Sequence, residues 1–310
     1  MYLGFDTSNY TTSVALFDGK DIIMQKKLLE VKQGERGLRQ SDAVFQHTVN
    51  MPKLIDNIKN SANNLNAVGV SNRPRNIDGS YMPCFLVGEN TANAVASFSK
   101  LPLYKTSHQV GHILAALYSV NRLDLISKPF IAFHVSGGTT EALLVTPDEN
   151  EIIKAELIAE STDLKAGQAV DRTGVMLGLK FPCGPEIDKL AQNSNKDFKI
   201  HPSIKGLNCS LSGVENKAKN MLDNGDEFED IAKFVISYIA ATLDKMTENI
   251  LKQYGNLPLV FAGGVMSNTI INKKISNKYN ALFAEPQFSC DNAAGIAIYA
   301  YLKSQKLWML

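Results

Sequence analysis

The chain has 310 residues, 45% of them hydrophobic and 20% charged, with 32 basic against 31 acidic side chains and a formal net charge of +1. Such a composition excludes a low-complexity or disordered chain and is enough for a two-lobed, enzyme-sized protein. With so little net charge, a nucleic-acid partner must be held by a local basic patch or through partner proteins.

In chain order, Tyr2 to Asp6 and Thr12 to Leu16 read as strands joined through Thr7, Ser8, Asn9 and Tyr10, and Asp21 to Leu29 continues as a third. A polar helical stretch from Ser41 to Ser61 follows, then a strand at Leu65 to Val70 and a turn-rich insertion, Ser71 to Ser80. Helical patterns occupy Gly88 to Phe98 and His108 to Val120. Composition changes at Asn121 to Lys128, the expected passage between lobes, and strand-turn-strand organisation restarts at Pro129 to Gly137 and Glu141 to Val145 as an outline copy of the opening. Phe228 to Leu251 carries a helix-period apolar stripe, read as core. Strands at Leu257 to Ala262 and Ala281 to Glu285 alternate with helices beginning near Ser267 and Asn292, as in an α/β protein. The expected division is 1–124 with 293–310 as one lobe and 125–292 as the other. The first residues read as a strand rather than a signal segment, and no run approaches the roughly 18 apolar residues of a spanning helix, so a cytoplasmic chain without a membrane partner is expected. Cys84, Cys183, Cys209 and Cys290 form no Cys-x-x-Cys element and are expected as buried or pocket-lining thiols.

His108 and His112, in His-Gln-Val-Gly-His, stand one helical turn apart, so both imidazoles leave one helix face and can hold one metal ion if other groups complete the set. Gln109 replaces the glutamate of a His-Glu-x-x-His peptidase and cannot take up a proton, which argues against that chemistry. Two glycine turns follow strands: Ser136-Gly137-Gly138-Thr139-Thr140 and Gly263-Gly264-Val265-Met266-Ser267-Asn268. Glycines let backbone amides approach a phosphate, and together with Asp6-Thr7-Ser8 these turns point toward a nucleotide held between two lobes. No Gly-x-x-x-x-Gly-Lys-Ser/Thr occurs, so a P-loop ATPase is not indicated.

The stretch from Ala166 to Lys189 combines Asp171, a Leu-Gly-Leu run, Pro182-Cys183-Gly184-Pro185 and Asp188. With the histidine pair and Ser289-Cys290-Asp291-Asn292-Ala293-Ala294, it resembles the Kae1/TsaD/Gcp family, once described as O-sialoglycoprotein endopeptidases, and the similarity runs from the first strand to the final helix. The resemblance implies a two-lobed actin-like ATPase fold of the sugar kinase, heat-shock protein and actin group, each lobe built on a ribonuclease H-like mixed sheet with helices. It implies metal binding and catalysis at His108, His112 and Asp291, with one iron or zinc ion. His134, Val135, Ser136, Gly137 and Gly138 match the phosphate-proximal loop, and Asp171, Gly184, Asp188 and Asn268 match positions around the adenosine and ribose. Asp6, Gly263 and Gly264 are grouped with them as adenine-nucleotide residues, the nucleotide being threonylcarbamoyl-adenylate, AMP or ATP.

The implied activity is transfer of a threonylcarbamoyl group from threonylcarbamoyl-adenylate to N6 of the adenosine adjacent to the anticodon of tRNA. The implied partners are tRNA, a homologous actin-fold protein and an ATPase of the same pathway, with monomer and dimer both open. Several segments depart from the family pattern. Gly-Pro-Gly-Leu is replaced by Asn72-Arg73-Pro74-Arg75-Asn76-Ile77-Asp78-Gly79-Ser80, Gly-Gly-His-Thr by Gly137-Gly138-Thr139-Thr140, Thr-Ser-Cys-Asp by Thr7-Ser8-Asn9-Tyr10, and Ser-Gly-Leu-Lys-Thr by Ser212-Gly213-Val214-Glu215-Asn216. A divergent paralogue is therefore the alternative, either a carbamoyl-type transferase with another acceptor or a non-catalytic regulatory or scaffold protein. His134 is read as a strand histidine near the nucleotide rather than a third metal ligand, and His47 and His201 as solvated. Arg73 and Arg75 are open between a tRNA phosphate contact, a substrate-carboxylate clamp and a solvated loop. The Lys273-Lys274 segment is open between RNA contact and an ordinary helix surface.

Overall fold

Apolar residues on both faces of the opening segments produce two strands, β1 (Tyr2–Ser8) and β2 (Thr11–Phe17), buried along their whole length, and a third, β3 (Ile22–Leu28), that is largely exposed. The computed structural model describes residues 1–8, 10–31 and 38–307; Asn9, expected in the first turn, lies outside the described residues. The described residues form two compact units, one of Met1–Lys128, Thr146–Ala155 and Gln287–Leu310, the other of Pro129–Val145 and Glu156–Pro286. Relative to the division expected from sequence, the segments around residue 150 and residue 290 fall in the first unit, so Asp291 belongs with the histidines.

In the first unit, helix α1 (Gln40–Ile58) leads to strand β4 (Ala67–Arg73), helix α2 (Phe85–Ser99) to β5 (Leu103–Ser107), and β5 directly into helix α3 (His108–Ser119). The sheet order is β3-β2-β1-β4-β5, an antiparallel meander followed by parallel strands. β4 extends into what reads from sequence as a turn, because Arg73 pairs with Ser107 across a β-bulge between Ser71 and Arg73. Successive strand residues face opposite layers. Leu3, Phe5, Val68 and Val70 pack with Met51, Leu54 and Ile58 of α1 and Ala92 and Ala96 of α2. Gly4 and Gly69 meet the terminal helix, Ala294–Gln305.

That terminal helix is held at backbone distance. A Cβ on Gly4 would lie 2.5 Å from the Ala297 nitrogen, one on Gly69 2.6 Å from the Ile296 oxygen, and one on Gly295 1.8 Å from the oxygen of Gly111 in α3.

The second unit repeats the plan. Its sheet runs β12-β11-β6-β7-β8, from β6 (Phe130–Val135), β7 (Thr140–Asp148), β8 (Ile152–Glu160), β11 (Leu259–Ala262) and β12 (Ala281–Phe283). Stacked rings of Phe133, Phe261 and Phe283, with centroids 4.5 and 5.3 Å apart, cross three neighbouring strands. Helices α4 (Ala166–Met176), α5 (Gly184–Asn193), α6 (Ser212–Asp223), α7 (Phe228–Tyr254) and α8 (Thr269–Lys278) supply the rest, with a small hairpin of β9 (Ser203–Lys205) and β10 (Asn208–Ser210). The stripe on α7 is core as expected, with Ile231, Phe234, Val235, Tyr238, Ile239 and Met246 buried. No described helix is long and apolar enough to cross a membrane.

The glycine contacts give a stability prediction. Gly295→Ala is expected to lower unfolding free energy by about 3 kcal/mol or more through overpacking. Gly213→Ala, where an added Cβ meets nothing within 4 Å, is expected to change it by less than about 1 kcal/mol. Urea denaturation of both variants checks this; equal effects would reject the close-packing account.

Candidate metal centre and nucleotide loops

Ser107 ends β5 and caps α3, its hydroxyl accepting from the Val110 amide at 3.2 Å, so His108 is the first helical residue and His112 follows one turn later. Their Nε2 atoms are 2.9 Å apart. Asp291 comes from the short segment before the terminal helix. Asn292 closes that segment by accepting from the Ala294 amide at 2.9 Å and donating to the Cys290 carbonyl at 2.6 Å, and the Ser13 hydroxyl accepts from Ala293 N at 2.8 Å. The Asp291 Oδ1 atom lies 3.1 Å from His112 Nε2 and 3.5 Å from His108 Nε2. Two donors each about 2.1 Å from one ion, at angles between octahedral and tetrahedral, stand about 3.0–3.4 Å apart. The three separations match one face of such a polyhedron, and these are the atoms of the His108, His112, Asp291 group that can hold a metal.

Asp6, expected among the nucleotide residues, lies instead behind His108. Its Oδ1 accepts from His108 Nδ1 at 2.9 Å and from the Ser71 hydroxyl. With Nδ1 as the donor, Nε2 carries the lone pair toward His112 and Asp291, the usual arrangement of a carboxylate orienting a metal-binding imidazole. Thr11 donates to Asp291 Oδ2 at 3.4 Å. Asp6 Oδ2 and Ser8 Oγ, on one face of β1, are buried without hydrogen-bond partners among the described residues. Unpaired buried polar atoms are costly. The donor set of His108, His112 and Asp291, two imidazole nitrogens and a carboxylate, fits a divalent iron or zinc ion.

In the second unit the glycine turns meet at the carboxyl ends of the adjacent parallel strands β6 and β11, where open α/β sheets bind ligands. The Ser136 amide donates to the Thr139 oxygen at 2.7 Å and the Gly167 amide, opening α4, donates to the Ser136 oxygen at 3.1 Å. Gly263 has φ +104° and its backbone abuts Val135, where a Cβ would fall 2.2 Å from the carbonyl oxygen. Gly137, Gly138, Gly184 and Gly264 border open space. Asp171 accepts from the Cys183 amide at 2.9 Å, fixing the turn before Gly184. Asp188 accepts from Asn268 Nδ2 at 2.8 Å and the Thr269 hydroxyl at 3.1 Å. Each carboxylate keeps acceptor capacity for a ribose hydroxyl. The Asn268 oxygen caps α8 through the Ile270 and Ile271 amides. His134 lies in β6, outside the group formed by His108, His112 and Asp291.

One sequence expectation is corrected. His47 is fully buried rather than solvated, with Nδ1 2.8 Å from the Thr12 hydroxyl, and burial pushes its imidazole below the usual histidine range. Its spacing from Ala43, Met51 and Leu54 on α1 was the available signal. Arg73, for which the sequence left three readings open, is partly buried and paired with Glu151 at 3.2 Å. Glu151 itself was missed.

Residues 23–298 match the TsaD family, described as tRNA N6-adenosine threonylcarbamoyltransferase. The chain belongs to this family. The tRNA N6-adenosine threonylcarbamoyltransferase of Thermosipho africanus (strain TCF52B) is 31% identical, the match covering 96% of this chain and 93% of that protein. Among solved structures, the activator of the 2-hydroxyisocaproyl-CoA dehydratase from Clostridium difficile, with bound ADPNP, superposes with a TM-score of 0.54 at 16% identity, covering 100% of this chain and 97% of that one. Full-length HypF in its phosphate- and nucleotide-bound form gives 0.60 at 12% identity, over 99% of this chain and 56% of that one. The fold is that of the actin-like ATPases and sugar kinases, with two mixed five-stranded sheets and flanking helices.

The two carboxylates also bear on the protonation of His108. Burial opposes charge on His108, but Asp6 and Asp291 outweigh it and the imidazole is pushed up to about 10. Burial likewise opposes ionisation of Asp291, yet hydrogen bonds from both histidines hold it well below the usual carboxylate range. A histidine raised in the folded state adds stability that is complete below its unfolded pKa of about 6.5 and is lost as pH climbs through the folded value. The Asp291 contribution is present above about pH 4 and lost on acidification. Chelator-treated protein is therefore expected to melt at a higher temperature at pH 6 than at pH 9.5, with the dependence flattened in His108→Gln. Equal midpoints in the unaltered protein would contradict the assignment.

Proposed function

We propose that the chain transfers a threonylcarbamoyl group from threonylcarbamoyl-adenylate to N6 of the adenosine adjacent to the tRNA anticodon, as a metal-dependent acyltransferase acting in the cytoplasm. The observation that carries this reading is the His108, His112 and Asp291 group, braced by Asp6, in a chain of the TsaD family. Bound at these three residues, an iron or zinc ion would supply Lewis acidity toward a carbonyl oxygen. Asp6 keeps the proton on His108 Nδ1, and Ser71 and Thr11 hold the two carboxylates in place.

In the second unit, amides of the Gly137-Gly138 and Gly263-Gly264 turns would hold the phosphate of the adenylate, and Asp171 and Asp188 would accept from ribose hydroxyls. The exocyclic amine of adenosine attacks the carbamoyl carbon, a new C–N bond forms, the C–O bond to phosphate breaks, and AMP leaves with the electron pair while the amine loses a proton. tRNA is the acceptor partner in this reading, with a homologous actin-fold protein and an ATPase as accessory proteins.

One observation favours a second reading, a carbamoyl-type transferase with another acceptor. The loop Asn72–Ser80 is anchored on the metal-bearing helix, with the Pro74 oxygen accepting from the Gln109 amide at 3.0 Å, and it exposes Ile77 and Asp78. A glycine-proline-glycine turn would present mostly backbone there. Incubation of the purified protein with threonylcarbamoyl-adenylate, metal, unmodified tRNA and candidate partner proteins, followed by nucleoside mass spectrometry, separates the readings. Modified adenosine is expected, with at least about tenfold less in His112→Ala. Product only on another amine acceptor would support the second reading, and none on any acceptor would reject transfer.

A further inference from the structure

The carboxylate of Glu151, on the turn between β7 and β8, is where four segments of the first unit meet. Its Oε1 lies 3.2 Å from Arg73 Nη2, and its Oε2 accepts from Asn76 Nδ2 at 3.3 Å, Thr106 Oγ1 at 3.4 Å and the Tyr299 hydroxyl at 3.4 Å. Arg73 also donates to Asn72 Oδ1 at 2.7 Å. The turn is itself fixed, Asp148 Oδ1 accepting from the amides of Asn150 at 2.8 Å and Glu151 at 2.7 Å, while Lys303 donates to the Asn150 oxygen at 2.7 Å. A lone surface ion pair contributes little, but a carboxylate shared by a guanidinium, an amide and two hydroxyls holds all of them in register.

Two of the groups this carboxylate holds, Thr106 and Arg73, lie on the strands that lead into His108. Thr106 precedes the helix cap Ser107, with which Arg73 pairs across the β-bulge. Pro74 receives the Gln109 amide between the two histidines. On the other flank of the bulge, Ser71 turns to Asp6, whose carboxylate orients the His108 ring. Without Glu151, Arg73, Thr106 and Tyr299 lose their shared acceptor, and the bulge loses the anchor opposite Ser71.

We infer that Glu151 is a positioning residue of the metal centre, a latch that fixes the Asn72–Ser80 loop on the first turn of α3 and thereby the direction of His108 Nε2. The inference rests on the reading of His108, His112 and Asp291 as a metal site. It also gives Arg73 a structural employment, which leaves acceptor selection to the exposed part of the loop.

Cobalt(II) reports both quantities needed, affinity through competition with a chelator and ligand geometry through its visible absorption. Full-length wild-type protein, Glu151→Gln and Glu151→Ala are each titrated with cobalt, and their thermal midpoints are measured separately. The wild type is expected to bind one equivalent. Glu151→Ala is expected to bind about tenfold more weakly with an altered band, and Glu151→Gln to fall between, because its amide oxygen still accepts from Arg73 without the charge. If the alanine chain fails to fold, the glutamine variant carries the comparison. Wild-type affinity and an unchanged band in the folded variants, with only the midpoint lowered, would overturn the latch and leave an ordinary structural bridge. Absence of cobalt binding by the wild type would overturn the metal centre and the latch with it.

Discussion

Backbone contact between Gly111 and Gly295 is the constraint on which the first unit's site depends. Gly111 sits between His108 and His112, and Gly295 opens the terminal helix just after Asp291. With no side chain on either, the Gly295 Cα packs against the Gly111 carbonyl at a distance where any Cβ would clash. The approach of two helix backbones therefore sets how near Asp291 comes to the histidines. Gly4 and Gly69 perform the same service beneath the helix, letting it settle onto β1 and β4. Packing is inelastic at such contacts, so the arrangement of His108, His112 and Asp291 inherits its precision from the core rather than from the loop that bears Asp291.

Electrostatics then explains why the place is poised for a cation. Asp6 is fully buried, Asp291 is partly enclosed, the His108 ring lies between them, and His112 adds a second imidazole beside Asp291. Two negative groups in a partly dry environment require positive charge. The raised pKa of His108 means that protonation of its ring answers that requirement. A divalent ion supplies more, and its binding would expel that proton, since only neutral imidazole coordinates. Asp6 Oδ2 and Ser8 Oγ remain buried without a hydrogen-bond partner among the described residues.

Much of this was legible in the sequence, for identifiable reasons. The histidine pair could be read because its spacing is local to one helix, and the duplicated strand plan because both meanders alternate apolar segments with short turns. Asp291 is 179 residues from His112 and was reachable only through the resemblance of its surrounding motif. Asp6 was placed with the nucleotide because a strand-end aspartate beside Thr7 and Ser8 looks the same whether it faces a ligand or a histidine; only the folded neighbour decides. β5 was overlooked because Leu103–Ser107 is short and carries mixed polarity, although its parallel pairing with β4 is what delivers His108 to the site. Glu151 could not have been found, since its four partners come from three other segments and no local pattern links them.

The central claim is that two imidazoles and one carboxylate of this chain hold a single metal ion. X-ray absorption at the metal edge of protein reconstituted with zinc or iron tests it most directly. The account predicts a shell of nitrogen and oxygen at about 2.0–2.2 Å, with outer-shell imidazole scattering for two rings that falls to one in His112→Ala. A sulfur shell near about 2.3 Å, or imidazole scattering unchanged in that variant, would contradict it.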